Sequence, residues 1–272
     1  MNKSYLAILD KLKNKSQKSL SDKNLLWICS MIEEYKPKRI LEIGVSTGGA
    51  TAVYLNCIKE LELLTELVSV DSEVIAYYKK GKPDIGAEVC ELSNYLDLKN
   101  FKLIKGRYIP EIVDDIGIFD MVIIDTVHFI PGEVLDLMCL KNNIKKHTIV
   151  ILDDINIESR YPNLYEQNLN STSSNAMILS ALNGKLLLPN EMFPDIGGIK
   201  LEEADIDENK MLLCLCHKWN SDILECKDKY FNKIKELYGI EISKKLEVIY
   251  EKYKYSNFNS KGGKIILWKI HY

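Results

Sequence analysis

Arg39-Ile-Leu-Glu-Ile-Gly-Val-Ser-Thr-Gly-Gly49 is the stretch from which the fold can be read. A short apolar burst, Ile40-Leu41-x-Ile43, runs into Gly44-x-x-x-Gly48-Gly49, and Ala50-Thr-Ala-Val-Tyr-Leu55 then reads as a helix. Strand, glycine turn and helix start together bring bare backbone N–H groups up to a nucleotide-like ligand. Glycine permits backbone angles and a close approach that a Cβ forbids. The spacing differs from the G-x-G-x-x-G of dinucleotide enzymes, and an acid, Glu42, stands two residues before the first glycine. The candidate ligand-binding residues of this turn are Glu42, Gly44, Ser46, Thr47, Gly48 and Gly49.

Working outward, five apolar runs recur: Ile40–Ile43, Leu67–Val70, Phe101–Ile104, Phe119–Ile124 and Thr148–Leu152. Most are near-continuous in Ile, Val and Leu, as in strands buried on both faces. Helical segments are expected between them at Glu73–Lys80, Glu111–Ile116 and Gly132–Leu140, the last two opened by Pro110 and Pro131. Upstream, Leu25, Cys29 and Ile32 share one face of a helix over 22–35 that Ser21 can cap and Pro37 ends. Alternating strand and helix predicts an α/β protein with a doubly wound, mostly parallel sheet. Beyond Asp154 the pattern weakens. Residues 156–175 read as a long loop or partial lid and 175–182 as a helix. Lys185–Pro189, Gly198–Glu202 and Met211–Trp219 carry strand material. Helices follow at Ser221–Tyr238 and Ser243–Tyr253, then a final strand at Lys264–Ile270. No stretch has the composition of an inter-domain linker. The expected organisation is an N-terminal helical extension over 1–36 and a single domain over 37–272.

The chain of 272 residues carries a net charge of −3, which gives no global nucleic-acid signature. Residues 1–39 hold nine Lys/Arg against four Asp/Glu, whereas residues 110–140 hold seven acids and no Lys or Arg, a stretch that would repel a phosphate backbone. No segment approaches the roughly 20 apolar residues that span a bilayer, and Asp10 and Lys11 interrupt any signal-peptide core. Seven cysteines, an odd count without framework spacing, suit a reducing cytoplasm. Cys214-x-Cys216-His217 lacks a second Cys/His pair and reads as core strand, not as a metal clip.

In an open α/β sheet, ligands lie beyond the carboxyl ends of the strands. The second run ends in Asp71, placed to accept both ribose hydroxyls of an adenosine ligand, or else to cap the following helix. The third ends Lys105-Gly106-Arg107-Tyr108, where Gly106 can pass close to a ligand and Tyr108 can stack on an aromatic ring. The fourth ends Asp125-Thr-Val-His128 and the fifth Asp153-Asp154. Asp125, Asp153 and Asp154 at adjacent strand ends can share a hard divalent cation such as Mg²⁺, which takes oxygen ligands and keeps waters. His128 is the natural general base near neutral pH. Strand-end aspartates also serve to satisfy loop amides, and Asp120 is read as such a structural contact.

Taken together, Leu41-Glu-Ile-Gly-Val-Ser-Thr-Gly-Gly-Ala-Thr51, Val70-Asp71, Ile124-Asp125-Thr-Val-His128 and Val150-Ile-Leu-Asp-Asp154 resemble class I S-adenosylmethionine (SAM)-dependent methyltransferases. The branch resembled is that of sugar and natural-product O-methyltransferases with a D-x-x-H motif after the fourth strand, and the likeness covers about residues 25–155. The resemblance implies a Rossmann-like sheet of seven strands with the last antiparallel. It also implies SAM on the glycine turn, Asp71 and Asp125, and methyl transfer to a hydroxyl of a small molecule or sugar. Metal-dependent relatives place an acid after the fourth strand and an acidic pair after the fifth, which match Asp125, Asp153 and Asp154. Arg107 departs from the Asp or Asn that many such enzymes use to read adenine. Two other readings stay open: a SAM- or S-adenosylhomocysteine (SAH)-binding partner protein without catalysis, and an NAD-dependent oxidoreductase that keeps Asp71. The residues leave the acceptor undetermined among sugars, polyketides, small phenols and a peptide side chain. Tyr161, Tyr165, Phe193 and Asp195 are candidate pocket residues, and the N-terminal helix can pair across a homodimer.

Overall fold

The computed structural model describes residues 20–76, 81–126, 128–160, 173–219 and 226–254. The elements run α1 (Asp22–Tyr35), β1 (Arg39–Ile43), α2 (Gly49–Glu60), β2 (Glu66–Asp71), α3 (Ala87–Glu91), β3 (Phe101–Lys105), α4 (Val113–Ile116), β4 (Met121–Ile124) and α5 (Gly132–Cys139). They continue β5 (Ile149–Leu152), α6 (Ile157–Arg160), α7 (Asn175–Ala181), β6 (Gly184–Leu187), β7 (Gly197–Leu201), α8 (Glu208–Cys214) and α9 (Lys227–Tyr253). Short 3₁₀ turns at Ser93–Tyr95 and Ile109–Glu111 flank β3.

The strands form one seven-stranded sheet in the order β3-β2-β1-β4-β5-β7-β6. β1 to β5 pair in parallel, and β7 runs antiparallel to both β5 and β6. The order reverses at β1, between β2 and β4, so the crevice beyond the carboxyl ends of β1 and β4 is the ligand position for this topology. Strand alternation divides the core between the two faces. Ile40, Leu67, Met121, Ile123, Ile149 and Ile151 pack with α1 and α2. Leu41, Ile43, Val68, Val70, Val122, Ile124, Val150 and Leu152 pack with α5 and α9 on the opposite face. The α1 expectation holds to the residue, with Ser21 accepting from the amide of Asn24. Asp120 likewise has the structural role expected of it, accepting from the amides of Lys38 and Arg39 and pairing with Lys145.

Two expectations need correction. The helix expected at Glu73–Lys80 is not formed over residues 73–76. The Asp71 carboxylate takes the Glu73 amide, Val74 and Ala76 exchange backbone bonds with Ile85 and Pro83, and the helix of this connection is α3 instead. Residues 77–80 lie outside the described residues. The Met211–Trp219 run is helical over Met211–Cys214 where a strand was expected, because Asp207 caps α8 by accepting from the amides of Asn209 and Lys210. Met211, Leu212 and Leu215 then face the core while Leu213 points outward, a helical period that a run this apolar conceals. The expected pair of C-terminal helices is borne out within α9, which Gly239, with a non-helical φ of 84° and ψ of 177°, breaks in two after Tyr238; residues 220–225 lie outside the described residues. The strand expected at Lys264–Ile270 falls outside the described residues.

Candidate active site

The glycine turn begins where β1 passes β4. Gly44 has φ +91°, and a Cβ there would stand 1.8 Å from the Asp125 carbonyl oxygen. The two strand ends therefore touch backbone to backbone, which only glycine allows. Gly48, at φ +90°, starts α2, and a Cβ on it would meet Val89 Cγ2 at 2.8 Å and Gly86 Cα at 3.0 Å. The α3 segment is fastened onto the turn, since the amides of Gly86 and Glu88 donate to the carbonyls of Ser46 and Thr47. Asp71 organises the same turn: its Oδ2 accepts from the amides of Val45 (2.9 Å) and Ser46 (3.0 Å), and its Oδ1 from Glu73. Each oxygen of a carboxylate has two acceptor sites, so this geometry fixes the turn and leaves capacity toward a ligand.

Glu42 lies beneath the turn, not in it. It is 2% exposed and accepts from Thr51 Oγ1 at 2.8 and 3.0 Å and from the Ser69 hydroxyl. Burial pushes its carboxyl up to about 8, against the lowering effect of those hydrogen bonds. Thr47 is buried, while Ser46, at φ 53°, directs a hydroxyl inward that finds no hydrogen-bond partner among the described residues.

At the end of β3, Gly106 (φ +69°) donates its amide to the Glu73 carbonyl, and a Cβ there would press on Val74 at 3.0 Å. Arg107 is drawn away to Glu111, with its guanidinium 3.6 Å from Oε1. Tyr108 packs its ring edge-on against Tyr230 at 6.4 Å with Lys229 above it, so in this structure the phenol belongs to the α9 interface.

The second half of the site lies at the ends of β4 and β5. His128, at φ 59°, presents Nε2 3.5 Å from Asp125 Oδ1 and 3.3 Å from Asp154 Oδ2. Burial disfavours the imidazolium, but the carboxylates of Asp154, Glu133, Asp125 and Asp195 outweigh it, and the pKa is raised above the ordinary histidine value. Burial pushes Asp125 up to about 6, with His128 opposing and Asp154 adding to the rise. The carboxylates whose oxygens gather within 4.8 Å of one another are Asp153, Asp154 and Asp195. Asp125 stands beside this group across the His128 ring. Asp153 is held from two sides: α1 supplies the Asn24 side-chain amide to Oδ1 at 2.9 Å, and α7 supplies the Asn175 amide to its main-chain carbonyl. Burial, then the charges of Asp125, Asp154 and Asp195, raise the Asp153 carboxyl well above the carboxylate range.

Asp195 enters through the β6–β7 hairpin loop, whose carbonyl at 195 receives the Ile155 amide. Sequence reading placed it only among loop candidates. Phe193, beside it, is 74% exposed, and Tyr161 and Tyr165 lie outside the described residues. Glu133 has no role in the sequence reading, although an acid directly before the mostly apolar Val134–Cys139 segment is a visible signal. No helix among the described residues is long and apolar enough to cross a membrane, and all seven cysteines are free thiols.

No protein-family model matches the sequence, and no curated protein matches it. Solved structures do match in fold. The SAH-bound methyltransferase of Podospora anserina aligns with TM-score 0.51 at 15% identity, over 75% of this chain and 89% of its own. A protein from Staphylococcus aureus assigned provisionally as a caffeoyl-CoA O-methyltransferase gives 0.50 at 14% identity, over 73% and 93%. A Klebsiella pneumoniae protein with a provisional O-methyltransferase assignment gives 0.50 at 14%, over 74% and 91%. The chain therefore has the Rossmann-like, seven-stranded fold of these class I methyltransferases, with its glycine turn and carboxylate–histidine cluster at the carboxyl edge of the sheet.

Proposed function

We propose that this chain is a SAM-dependent methyltransferase that methylates a hydroxyl oxygen of a small molecule or sugar. The observation that carries the reading is the Gly44 contact. A left-handed glycine lets the ends of β1 and β4 meet backbone to backbone at the point of strand reversal, the ligand position of this topology. SAM, when bound, supplies an electrophilic methyl on a sulfonium. The chain's part is to hold it and to prepare the acceptor. The turn from Gly44 to Gly49 offers the Ser46 hydroxyl, its Val45 and Ser46 amides being held by Asp71, and Asp71 Oδ1 retains an acceptor site for a ribose hydroxyl. Asp125, at the floor of the crevice, is placed to take the ammonium end. Val74 and Gly106 wall the adenine side.

His128 removes the acceptor proton at Nε2, the nitrogen shared between Asp125 and Asp154. An approach in line with the methyl requires the hydroxyl to be fixed between His128 and the turn. A divalent cation would lower the hydroxyl's pKa. The donor set fits a hard ion, because Asp153, Asp154 and Asp195 offer oxygens within 4.8 Å and Asp125 lies adjacent. A cytoplasmic location belongs to the same reading and is supported by the seven free thiols. A homodimer formed through the N-terminal helix remains part of the proposal.

The test is transfer of isotope-labelled methyl from SAM to a panel of hydroxylated acceptors, run after chelation and again with Mg²⁺. Labelled product from the wild type, and none from His128→Ala with SAM binding intact, is the expected result. A wild type that binds SAM but transfers no label to any acceptor would favour the non-catalytic partner reading.

A further inference from the structure

α5 buries Val134, Leu135, Leu137 and Met138 in the core, and with them two acids, Asp136 and, fully buried in the first turn, Glu133. A buried carboxylate costs several kcal/mol unless its oxygens are satisfied. No Lys or Arg pairs with Glu133 among the described residues; instead it collects hydrogen-bond donors from the catalytic loop and from α7. Oε1 accepts from the His128 main-chain amide and from Thr126 Oγ1 at 2.8 Å, and Oε2 accepts from Ser174 Oγ at 2.8 Å. The His128 Nδ1 atom lies 3.6 Å from Oε1, is buried and makes no hydrogen bond. The same loop is stitched to the segment before α7 by the Ser174 amide donating to the His128 carbonyl and by an antiparallel bridge between Phe129 and Ser173. His128 holds a left-handed backbone conformation, which a non-glycine residue adopts only when its surroundings enforce it.

We propose that Glu133 is a positioning residue that fixes the His128 loop so that Nε2 points at Asp125 and Asp154, and that ties this orientation to the α7 segment on the acceptor side. The carboxylate grips the peptide of His128 directly and stands behind the ring on its Nδ1 side. Apolar replacement leaves the His128 amide and the Thr126 hydroxyl without this acceptor, while Ser174 Oγ keeps Asn175 Oδ1, and it frees the imidazole to turn. The proposal rests on the reading of His128 as the base, but the orientation itself can be observed without any turnover.

The test uses the full chain labelled with ¹⁵N-histidine. The sequence holds four histidines, and the His128 ring signals are those lost in His128→Gln. Glu133→Gln keeps an oxygen for the His128 amide and is expected to leave the ring signals in place, with methyl transfer within about threefold of wild type. Glu133→Met matches the side-chain length but accepts nothing. It is expected to shift or split the His128 ring signals and to lower kcat at least about tenfold with SAM affinity unchanged, because Glu133 does not touch the glycine turn. Should Glu133→Met fail to fold, Glu133→Asp withdraws the carboxylate by one methylene and is read in the same way. Unshifted, single ring signals for His128 in a folded Met or Asp variant would overturn the proposal. Failure of the wild type to bind SAM would overturn the function proposed above, and the ring spectra would still decide the role of Glu133.

Discussion

Gly44→Ala is the perturbation whose consequence can be worked furthest from the structure. A Cβ at position 44 would stand 1.8 Å from the Asp125 carbonyl oxygen and 2.7 Å from its carbon. Ordinary contact between such atoms needs a little over 3 Å, so the ends of β1 and β4 would have to separate by roughly 1.5 Å. The φ of +91° adds a left-handed penalty of about 1–2 kcal/mol for any residue with a Cβ. Forcing the strand ends apart adds about 1–3 kcal/mol more. The total, roughly 2–5 kcal/mol, corresponds to a melting-temperature loss of about 5–15 °C for a domain of this size. Gly239→Ala serves as the control. Its φ of +84° and ψ of 177° carry backbone strain of about 1–3 kcal/mol, but a Cβ there meets nothing within 4 Å and it lies in α9, outside the site. Thermal melts and SAM calorimetry on both variants separate strain from site. Gly239→Ala should lose stability and keep SAM affinity, whereas Gly44→Ala should lose both. A Gly44→Ala protein that melts within a degree or two of wild type, or binds SAM equally well, would refute the reasoning.

Other outcomes follow from the same geometry. Asp71→Ala removes the acceptor for the Val45 and Ser46 amides, and hydrogen bonds to a charged group are worth about 1.5–3 kcal/mol, so SAM affinity should fall by about 10- to 100-fold in calorimetry. His128→Ala should leave SAM affinity within a few-fold and reduce methyl transfer by about 10²–10⁴ in the labelled-methyl assay. Asp136 is buried on α5 and accepts from the Tyr230 hydroxyl, and burial pushes its carboxyl up to about 7. The folded state therefore keeps this proton where the unfolded chain has lost it. The associated stability is full below the unfolded pKa of about 4 and disappears as pH rises through about 7. Asp136→Asn should accordingly shrink the fall in melting temperature between pH 5 and pH 8, by an amount equivalent to roughly 2–4 kcal/mol. An unchanged pH dependence would contradict the assignment of Asp136.

The parts of the fold that could be read from sequence were those where one local pattern admits a single structure. Arg39–Gly49 determined strand, turn and helix because the burst, the glycines and the apolar helix agree, and most of the other parallel strands were near-continuous aliphatic runs. α8 was illegible because Met211–Cys216 is apolar at every position, so strand and helix periods fit equally until the Asp207 cap is considered. The segment after Asp71 resembled a helix in composition, yet the Asp71 side chain captured the Glu73 amide and turned the chain out toward Asp84. In the site, Asp71, Asp125, His128, Asp153 and Asp154 could be found because strand ends mark them. Asp195 and Glu133 reach the same place from a hairpin loop and from the first turn of a helix, through tertiary packing that no local pattern encodes. Glu42 has the opposite lesson: the motif acid is spent on Thr51 and Ser69 beneath the turn.

The most direct measurement is calorimetric titration of the folded chain with SAM, with NAD titrated in parallel. The account predicts micromolar SAM binding and no comparable binding of NAD. A folded protein that gives no heat with SAM, or that binds NAD in its place, would contradict the assignment of the Gly44–Gly49 turn and with it the proposed methyl transfer.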